Sequence, residues 1–301
     1  TPGALVLNDD IFLDHDGTTP GDFWFGNGTG TGTKVVVAGN VTIDTEQGDT
    51  PGEAPGFVNF QFAEVSADAP GRSLTINTEN TTDGTAGDFS IDVVGNSAGA
   101  YLDGLVYIGH GTGGVMTILG PEIRTDGGGV SLNGTVYARD GLLIDTEQGD
   151  DGNAGPIDLV PLTGDSVSAE NGGLNLTLDA SSGGGAPGFV SLGEVDSGGG
   201  YLFETLTVPG TEVNLSGPIV VLQDMDFGGS LATIGPGVGL LDAAGGSGII
   251  SGDSFQFLAG GTTTVSGSFA ATADVGLFGA ASFEGTSYAA GGVTTVDPGA
   301  A

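Results

Sequence analysis

A chain of 301 residues with 61 glycines and 38% hydrophobic residues is too apolar to be disordered, and it lacks the Gly-X-Y period of collagen. Its 38 acidic and 4 basic residues give a formal net charge of −34, which excludes nucleic acid as a partner because phosphate binding requires clustered Lys and Arg. The absence of cysteine excludes disulfides and thiolate metal sites, and no apolar run of about 18 residues is present to span a membrane as a helix.

Residues 1–33 are predicted to form an N-terminal coil or cap. Short apolar runs from Leu5 to Gly26 alternate with acidic or Gly-rich turns, and Phe23-Trp24-Phe25 is an aromatic cluster large enough to close the end of a stack. The chain begins with Thr1 and has no charged segment followed by an apolar one. We therefore expect a mature product or a piece of a longer polypeptide.

Residues 34–235 are predicted to consist of short β-strands. Most candidate segments have four to eight residues, are rich in β-branched side chains, alternate apolar with polar positions, and are bounded by Gly, Asn or Asp. Examples in chain order are KVVVAG, NVTIDT, FVNFQF, EVSAD, SLTINT, FSIDVV, VMTILG, GVSLNG, TVYARD and GLLIDT. No segment of comparable quality has the 3.6-residue period of a helix, so the predicted fold class is all-β.

The clearest unit is 129–155, where alternation places six apolar side chains on one face. They are Val130, Leu132, Val136, Ala138, Leu142 and Ile144. Sharp corners at Gly134 and at Asp140-Gly141 separate three strands, and most of these corners do not fit the two-residue turns of a hairpin meander. The unit therefore predicts three sides of one β-solenoid coil, and the whole chain predicts about ten such coils.

A block of about a hundred residues is duplicated in this region. VTIDTEQGD at 41–49 returns as LLIDTEQGD at 142–150, and LTI at 74–76 returns as LTL at 176–178. Beyond Pro236 the composition changes, because residues 236–301 contain five acidic and no basic residues and are rich in Gly, Ala and Thr. We expect this segment to form weakly charged C-terminal coils that serve in assembly.

The strings IDTEQGDDGNAGPIDL, VSADAPGRSLTINTEN and AGAYLDGLVYIG resemble the long repeats of filamentous-haemagglutinin-type β-solenoid proteins, which are large bacterial surface and secreted polypeptides. The resemblance covers roughly Lys34 to Ile234 and concerns the style of the repeats. It implies a right-handed parallel β-helix, export from the cell, and an adhesive or filament-building role. It transfers no functional residues, because that family has no shared active site.

The charge density makes Ca²⁺ the one candidate ligand ion, although the fold requires no cofactor. About ten coils at roughly 4.8 Å per rung form a rod on the order of 50 Å long. The net charge of −34 then corresponds to about one charge per 1.5 Å, close to duplex DNA. Carboxylate oxygens are the ligands that Ca²⁺ prefers. The candidates are the twin loops Asp44, Glu46, Asp49 and Asp145, Glu147, Asp150, Asp151, together with Asp9, Asp10, Asp14 and Asp16. The alternative is that these are solvated loop charges that prevent aggregation.

We expect no enzymatic activity. Parallel β-helices include polysaccharide lyases and glycosidases, but suitably spaced carboxylate pairs arise by chance among 38 acidic residues, and only four basic residues accompany them. They are Lys34, Arg72, Arg124 and Arg139. His15 and His110 belong to no recognisable motif.

The expected function is structural: an extracellular or cell-surface subunit that builds a filament, sheath or adhesin by end-to-end contact, with surface glycans as a further class of partner. Unpaired strand edges on the first and last coils would pair with another copy, and contacts of this head-to-tail kind generate filaments. Thr1 to Phe25 and Ser254 to Ala301 are the expected contact faces. The alternative is a spacer segment of one giant surface adhesin.

Overall fold

The computed structural model describes residues 3–13, 21–25, 33–46, 51–111, 113–148, 152–159, 165–195, 201–243, 246–284 and 287–296. Within them the chain forms 32 β-strands and no α-helix, as the alternation of apolar and polar residues predicts. Strands from the first third of the chain are β1 (Ala4–Leu7), β2 (Ile11–Phe12), β3 (Phe23–Trp24), β4 (Thr33–Val37), β5 (Val41–Asp44), β6 (Val58–Ala67), β7 (Ser73–Asn77), β8 (Glu79–Asn80), β9 (Thr85–Ala86), β10 (Phe89–Val94) and β11 (Gly104–Ile108).

Strands from the middle third are β12 (Val115–Ile118), β13 (Glu122–Arg124), β14 (Val130–Asn133), β15 (Thr135–Ala138), β16 (Leu142–Asp145), β17 (Ile157–Leu159), β18 (Val167–Ala169), β19 (Asn175–Asp179), β20 (Phe189–Leu192) and β21 (Thr205–Thr207). The remaining strands are β22 (Glu212–Leu215), β23 (Ile219–Val221), β24 (Met225–Ile234), β25 (Leu240–Ala243), β26 (Ile249–Phe257), β27 (Thr262–Ser266), β28 (Ser268–Ala271), β29 (Val275–Leu277), β30 (Ala280–Phe283), β31 (Tyr288–Ala290) and β32 (Thr294–Val296).

The strands stack in three walls. Wall A comprises β1, β4, the second half of β6, the end of β10, β13, β16, β19, β21, the first halves of β24 and β26, β28 and β31. Wall B comprises β2, β5, β7, β11, β14, β17, β20, β22, the second halves of β24 and β26, β29 and β32. Wall C comprises β3, the first halves of β6 and β10, β12, β15, β18, the bridge at Val195, β23, β25, β27 and β30.

The chain visits wall A, wall B and wall C in turn, and each strand pairs with the strand one coil away. Among the described strands every ladder is parallel except the short antiparallel pair of β8 and β9. This confirms the predicted all-β parallel β-helix. Wall A has twelve rungs in the described part of the chain, slightly more than the predicted ten.

The core is a narrow column of side chains that point inward from all three walls. The six residues that alternation places on one face between 129 and 155 are all buried, with at most 2% of their surface exposed. Aromatic rings stack from coil to coil inside this column. One series runs from Phe23 through Phe60 and Phe89 to Tyr107, with ring centroids 5.5 to 6.1 Å apart.

Threonine and glycine build the corners from which the longest loops leave. The buried Thr45 hydroxyl donates to the carbonyl of Gly56 at 2.9 Å, and the buried Thr146 hydroxyl donates to that of Gly155 at 2.7 Å. Each bond closes the base of a loop and keeps the coil continuous on either side of it. The predicted corner at Gly134 is also present, with a φ of 141°.

The duplicated block occupies different walls in its two copies. Strand β5 contains the beginning of the first IDTEQGD string and pairs in wall B. Strand β16 contains the beginning of the second and pairs in wall A. Local contacts are nevertheless conserved between copies: Ala67 bridges Ala100, and Ala169 bridges Tyr201. The two copies are separated by eleven wall segments, which is three complete coils and two further walls. The second copy is therefore rotated about the solenoid axis relative to the first.

Candidate functional site

The predicted calcium loops use their carboxylates to hold their own backbone. The Glu46 N–H donates to Asp44 Oδ1 and the Glu147 N–H to Asp145 Oδ1, each at 3.1 Å. Glu46 and Glu147 are buried, at 2% and 4% exposure, and Glu147 Oε1 accepts the N–H of Gly152 at 2.9 Å. The same residues that suggest a metal site in the sequence thus have a structural role in the loop.

The two loops leave different walls and do not stack into one ladder. Asp49, Asp150 and Asp151, and also Asp14 and Asp16, lie outside the described residues. Among the residues that are described, no three His, Asp or Glu side chains form a group able to hold a metal ion. Asp10 Oδ1 instead accepts the N–H of Thr42 at 2.7 Å. Calcium binding at these loops stays a prediction.

Burial, together with neighbouring carboxylates, raises the pKa of several aspartates on the strands. Asp145 lies between Arg124 and Asp179 in the register of wall A. Its pKa is raised above the ordinary value, mainly by burial and further by the charge of Asp179, while hydrogen bonds and Arg124 act in the opposite direction. The pKa of Asp88 is also raised by burial, and that of Asp92 by burial and by Asp140.

All four basic residues make polar contacts with neighbouring groups. Lys34 Nζ donates to the carbonyl of Ser97 at 2.8 Å, and Arg139 lies 2.7 Å from a Glu170 carboxylate oxygen. Arg72 and Arg124 pair with Asp68 and Glu122 at 3.1 and 2.8 Å. The outer surface therefore presents acidic groups, hydroxyls and amides, with no cationic patch among the described residues.

A contact that the sequence did not reveal joins three successive coils at one corner. His110 Nδ1 lies 2.7 Å from Asp165 Oδ2, and the hydroxyl of Thr135 donates to Asp165 Oδ1 at 3.1 Å. Asp165 is 7% exposed, and each of its two carboxylate oxygens has a hydrogen-bond partner within the protein, as a buried polar group requires. No motif marks this cluster, because its members are 25 to 55 residues apart. His15 lies outside the described residues.

The two ends of the stack share a distinctive geometry. Strands β1, β2 and β3 at one end and β30, β31 and β32 at the other each pair on a single side among the described strands. Half-buried apolar side chains fill the interior at both ends. They are Leu5, Ile11, Phe23 and Phe25 at the first coil, and Leu277, Ala281, Phe283 and Ala290 at the last. Each end therefore presents backbone edges around an incompletely covered core.

These features define the class of the protein as a parallel β-solenoid with a continuous apolar core and an acidic outer surface. Comparison with protein-family models, with curated proteins and with solved structures finds no match to this chain. The resemblance to filamentous-haemagglutinin-type repeats therefore stays a prediction. None of the described residues forms a helix long and apolar enough to cross a membrane.

Proposed function

We propose that the chain is a structural β-solenoid subunit that associates end to end into an extracellular filament, sheath or adhesin. The observation that carries this proposal is the geometry of the two terminal coils, where, within the described part of the chain, strand edges without partners surround a partly open apolar interior. A further coil stacked on either end would complete both the backbone pairing and the burial of that interior.

A head-to-tail arrangement is favoured over head-to-head or tail-to-tail contact. When the last coil of one copy meets the first coil of the next, all strands continue in the same direction and the parallel ladders extend. The charges favour the same polarity. The first coil, 4–25, contains Asp9, Asp10 and Asp22 among its described residues, whereas the last coil, 280–296, contains one acidic residue, Glu284. Two first coils facing each other would bring like charges together.

The test is to block one edge without disturbing the pairing inside the chain. The Gly291 N–H donates to Ala271 O and the carbonyl of Ser287 accepts from Phe269, each at 2.9 Å, so the intervening Ala290 N–H points to the open edge. The carbonyl of Val293 accepts from the Val275 N–H and so points into the chain. By the same alternation, the N–H of the next residue, Thr294, points outward. Proline at both positions removes two outward donors and no internal backbone bond, and the Thr294 change also removes the 3.0 Å hydrogen bond between the hydroxyls of Tyr288 and Thr294.

We expect the purified chain to form rods by negative-stain microscopy at moderate salt, and the double variant Ala290→Pro/Thr294→Pro to remain monomeric in light scattering. The matched control is Ala290→Ser/Thr294→Val, which keeps both N–H groups, also lacks the Thr294 hydroxyl that contacts Tyr288, and should still assemble. Filaments that persist in the proline variant would contradict the proposal. A wild-type chain that stays monomeric under all conditions would instead favour the spacer alternative, in which a longer polypeptide supplies the neighbouring coils.

A further inference from the structure

Wall B contains two surface grooves of similar composition. The first has a volume of about 300 Å³ and crosses β7, β11, β14, β17 and β20, with a lining that includes Ser73, Thr75, Val106, Ser131, Asp158 and Phe189. The second has a volume of about 350 Å³ and crosses β24, β26, β29 and β32, with a lining that includes Leu231, Ser254, Gln256, Asp274, Gly276 and Phe278. Both volumes are at the lower end of the range for small-molecule sites.

Glycine residues create both depressions. Gly104 is the register partner of Ser73, and Gly129 occupies the next rung, directly before Val130, which pairs with Leu105. Two successive rungs of the outer face therefore have no side chain. In the second groove Gly276 lies between its register partners Gln256 and Thr295. The floor of the first groove is backbone, whereas in the second groove Gly276 leaves room for the Phe278 ring. The side chains of neighbouring rungs form the sides of both grooves.

Each groove also exposes one phenylalanine ring. Phe189 is 44% exposed and Phe278 is 38% exposed. The ring of Phe278 lies over Gly276, because a Cβ atom there would be 2.6 Å from Phe278 Cε2. Single exposed aromatic residues are ordinary on protein surfaces. An exposed ring, a glycine, a carboxylate and hydroxyls nevertheless occur together twice on one wall, and this recurrence requires an explanation.

The polar groups define which ligand these grooves would accept. Asp103 and Asp158 line the first groove and Asp274 lines the second, and neither groove is lined by Lys or Arg in the described part of the chain. Asp274 is held in place because its Oδ1 accepts the N–H of Val293 at 2.8 Å. Such a site favours a ligand that donates hydrogen bonds, has a flat apolar face for the ring, and carries no negative charge.

We infer that wall B binds neutral glycans, with Phe189 and Phe278 as the stacking platforms and the carboxylates as acceptors for sugar hydroxyls. A pyranose ring offers C–H groups on one face and hydroxyl donors around its rim, which matches both components. Acidic polysaccharides would be repelled by the groove carboxylates and by the net charge of −34. The first groove lies on the side of the solenoid away from both terminal coils, so binding there is independent of end-to-end association, whereas the second groove includes Thr295 of the terminal strand β32.

The test uses the full chain under conditions where it is monomeric. Neutral gluco-, galacto- and manno-oligosaccharides are compared with a uronic acid oligomer and a lysine-rich peptide by calorimetry and ligand-observed NMR. We expect at least one neutral oligosaccharide to bind and the uronic acid oligomer not to bind. Phe189→Ala and Phe278→Ala should each weaken the affinity of their groove roughly three- to tenfold. Asp158→Asn, which keeps an acceptor oxygen, should retain binding better than Asp158→Ala.

Tyr201→Ala is the matched control, since Tyr201 is 58% exposed but lines neither groove. Circular dichroism and thermal unfolding establish that every variant is folded. The inference fails if no neutral oligosaccharide binds, if binding is unchanged in both phenylalanine variants, or if only the cationic peptide binds.

Discussion

Glycine at several corners of this solenoid is required by the distance between coils. A Cβ atom at Gly87 would overlap the carbonyl of Gly56, and one at Gly188 would overlap that of Gly155. Neither position has a positive φ, so the constraint is the close approach of one backbone to the next. These glycines lie one above another along the corner, and each allows the neighbouring coil to pack at the normal rung spacing.

Replacing Gly188 by Ala should therefore reduce the free energy of unfolding by about 1–3 kcal/mol, the usual cost of overpacking. Gly239→Ala is the matched control, because no atom lies within 4 Å of its Cβ position and it has no positive φ. The control should change stability by less than about 0.5 kcal/mol. Chemical denaturation of the three proteins measures the difference, and equal stabilities would refute the close-contact argument.

The Asp165 cluster allows a second test at a single residue. Asp165→Ala removes the buried carboxylate that contacts the half-buried His110 and Thr135, which should cost about 1–3 kcal/mol. Asp68→Ala removes an exposed partner of Arg72 and should cost less than about 1 kcal/mol. Thermal or denaturant unfolding compares the two. A loss in Asp165→Ala no larger than in Asp68→Ala would mean that the cluster does not bind the coils together.

At the scale of strands, the parallel stack places two aspartates on adjacent rungs of the same wall. Asp145 and Asp179 are direct register partners on β16 and β19, so their carboxylates lie on the same side of wall A. Antiparallel hairpins of the same segments would not create this column. Asp88 directly precedes β10 and Asp92 lies within it, and both also have a raised pKa, mainly because of burial. Folding therefore makes these carboxyl groups harder to ionise.

The sign of the resulting pH dependence follows from proton linkage. The pKa of Asp145 in the folded chain is above the ordinary value of 3.8, so the folded state binds a proton more readily than the unfolded state in that interval. Stability should rise as the pH falls through the raised pKa and be lost again as the pH returns to neutral.

Asp145→Asn should flatten this dependence and preserve the acceptor for the Glu147 N–H. The measurement is the unfolding midpoint between pH 7 and pH 4 for the wild type, for Asp145→Asn, and for Asp253→Asn as a control away from the column. Identical slopes for all three proteins would show that the Asp145 column does not contribute.

For the whole molecule, the net charge of −34 opposes both compaction and association. The core nevertheless forms because inward-facing apolar residues stack without interruption along three walls. Any ion that lowers the charge should stabilise the rod. Site-specific binding differs from general screening, however, because it depends on the chemistry of the ion and not only on ionic strength.

If the acidic loops bind Ca²⁺, millimolar CaCl₂ should raise the melting temperature more than MgCl₂ does at the same ionic strength. NaCl at matched ionic strength is the control for screening. Glu147→Gln, which alters one loop, should reduce the calcium effect. Equal shifts for the three salts would indicate screening alone and would argue against the predicted calcium loops.

Much of this fold was accessible from local pattern. Alternation in segments such as 129–155 predicted which side chains point inward, because successive residues of a strand must face opposite sides. Glycine and the absence of hairpin turns predicted coils in place of meanders. Two strands were expected around FVNFQF and EVSAD, but the chain forms a single bent strand, β6, in which Phe62 has a φ of 63°. The positive φ of Phe62 could not be predicted from the sequence, because aromatic residues rarely adopt this conformation.

The amino-acid sequence by itself determined the inside and the outside of each strand, the positions of the corners and the charge of the surface, because these depend on neighbouring residues. The tertiary structure alone decided which wall each strand joins, because that depends on how many corners precede it. For this reason nearly identical segments at β5 and β16 face different sides, His110 meets Asp165, and two distant phenylalanines share wall B.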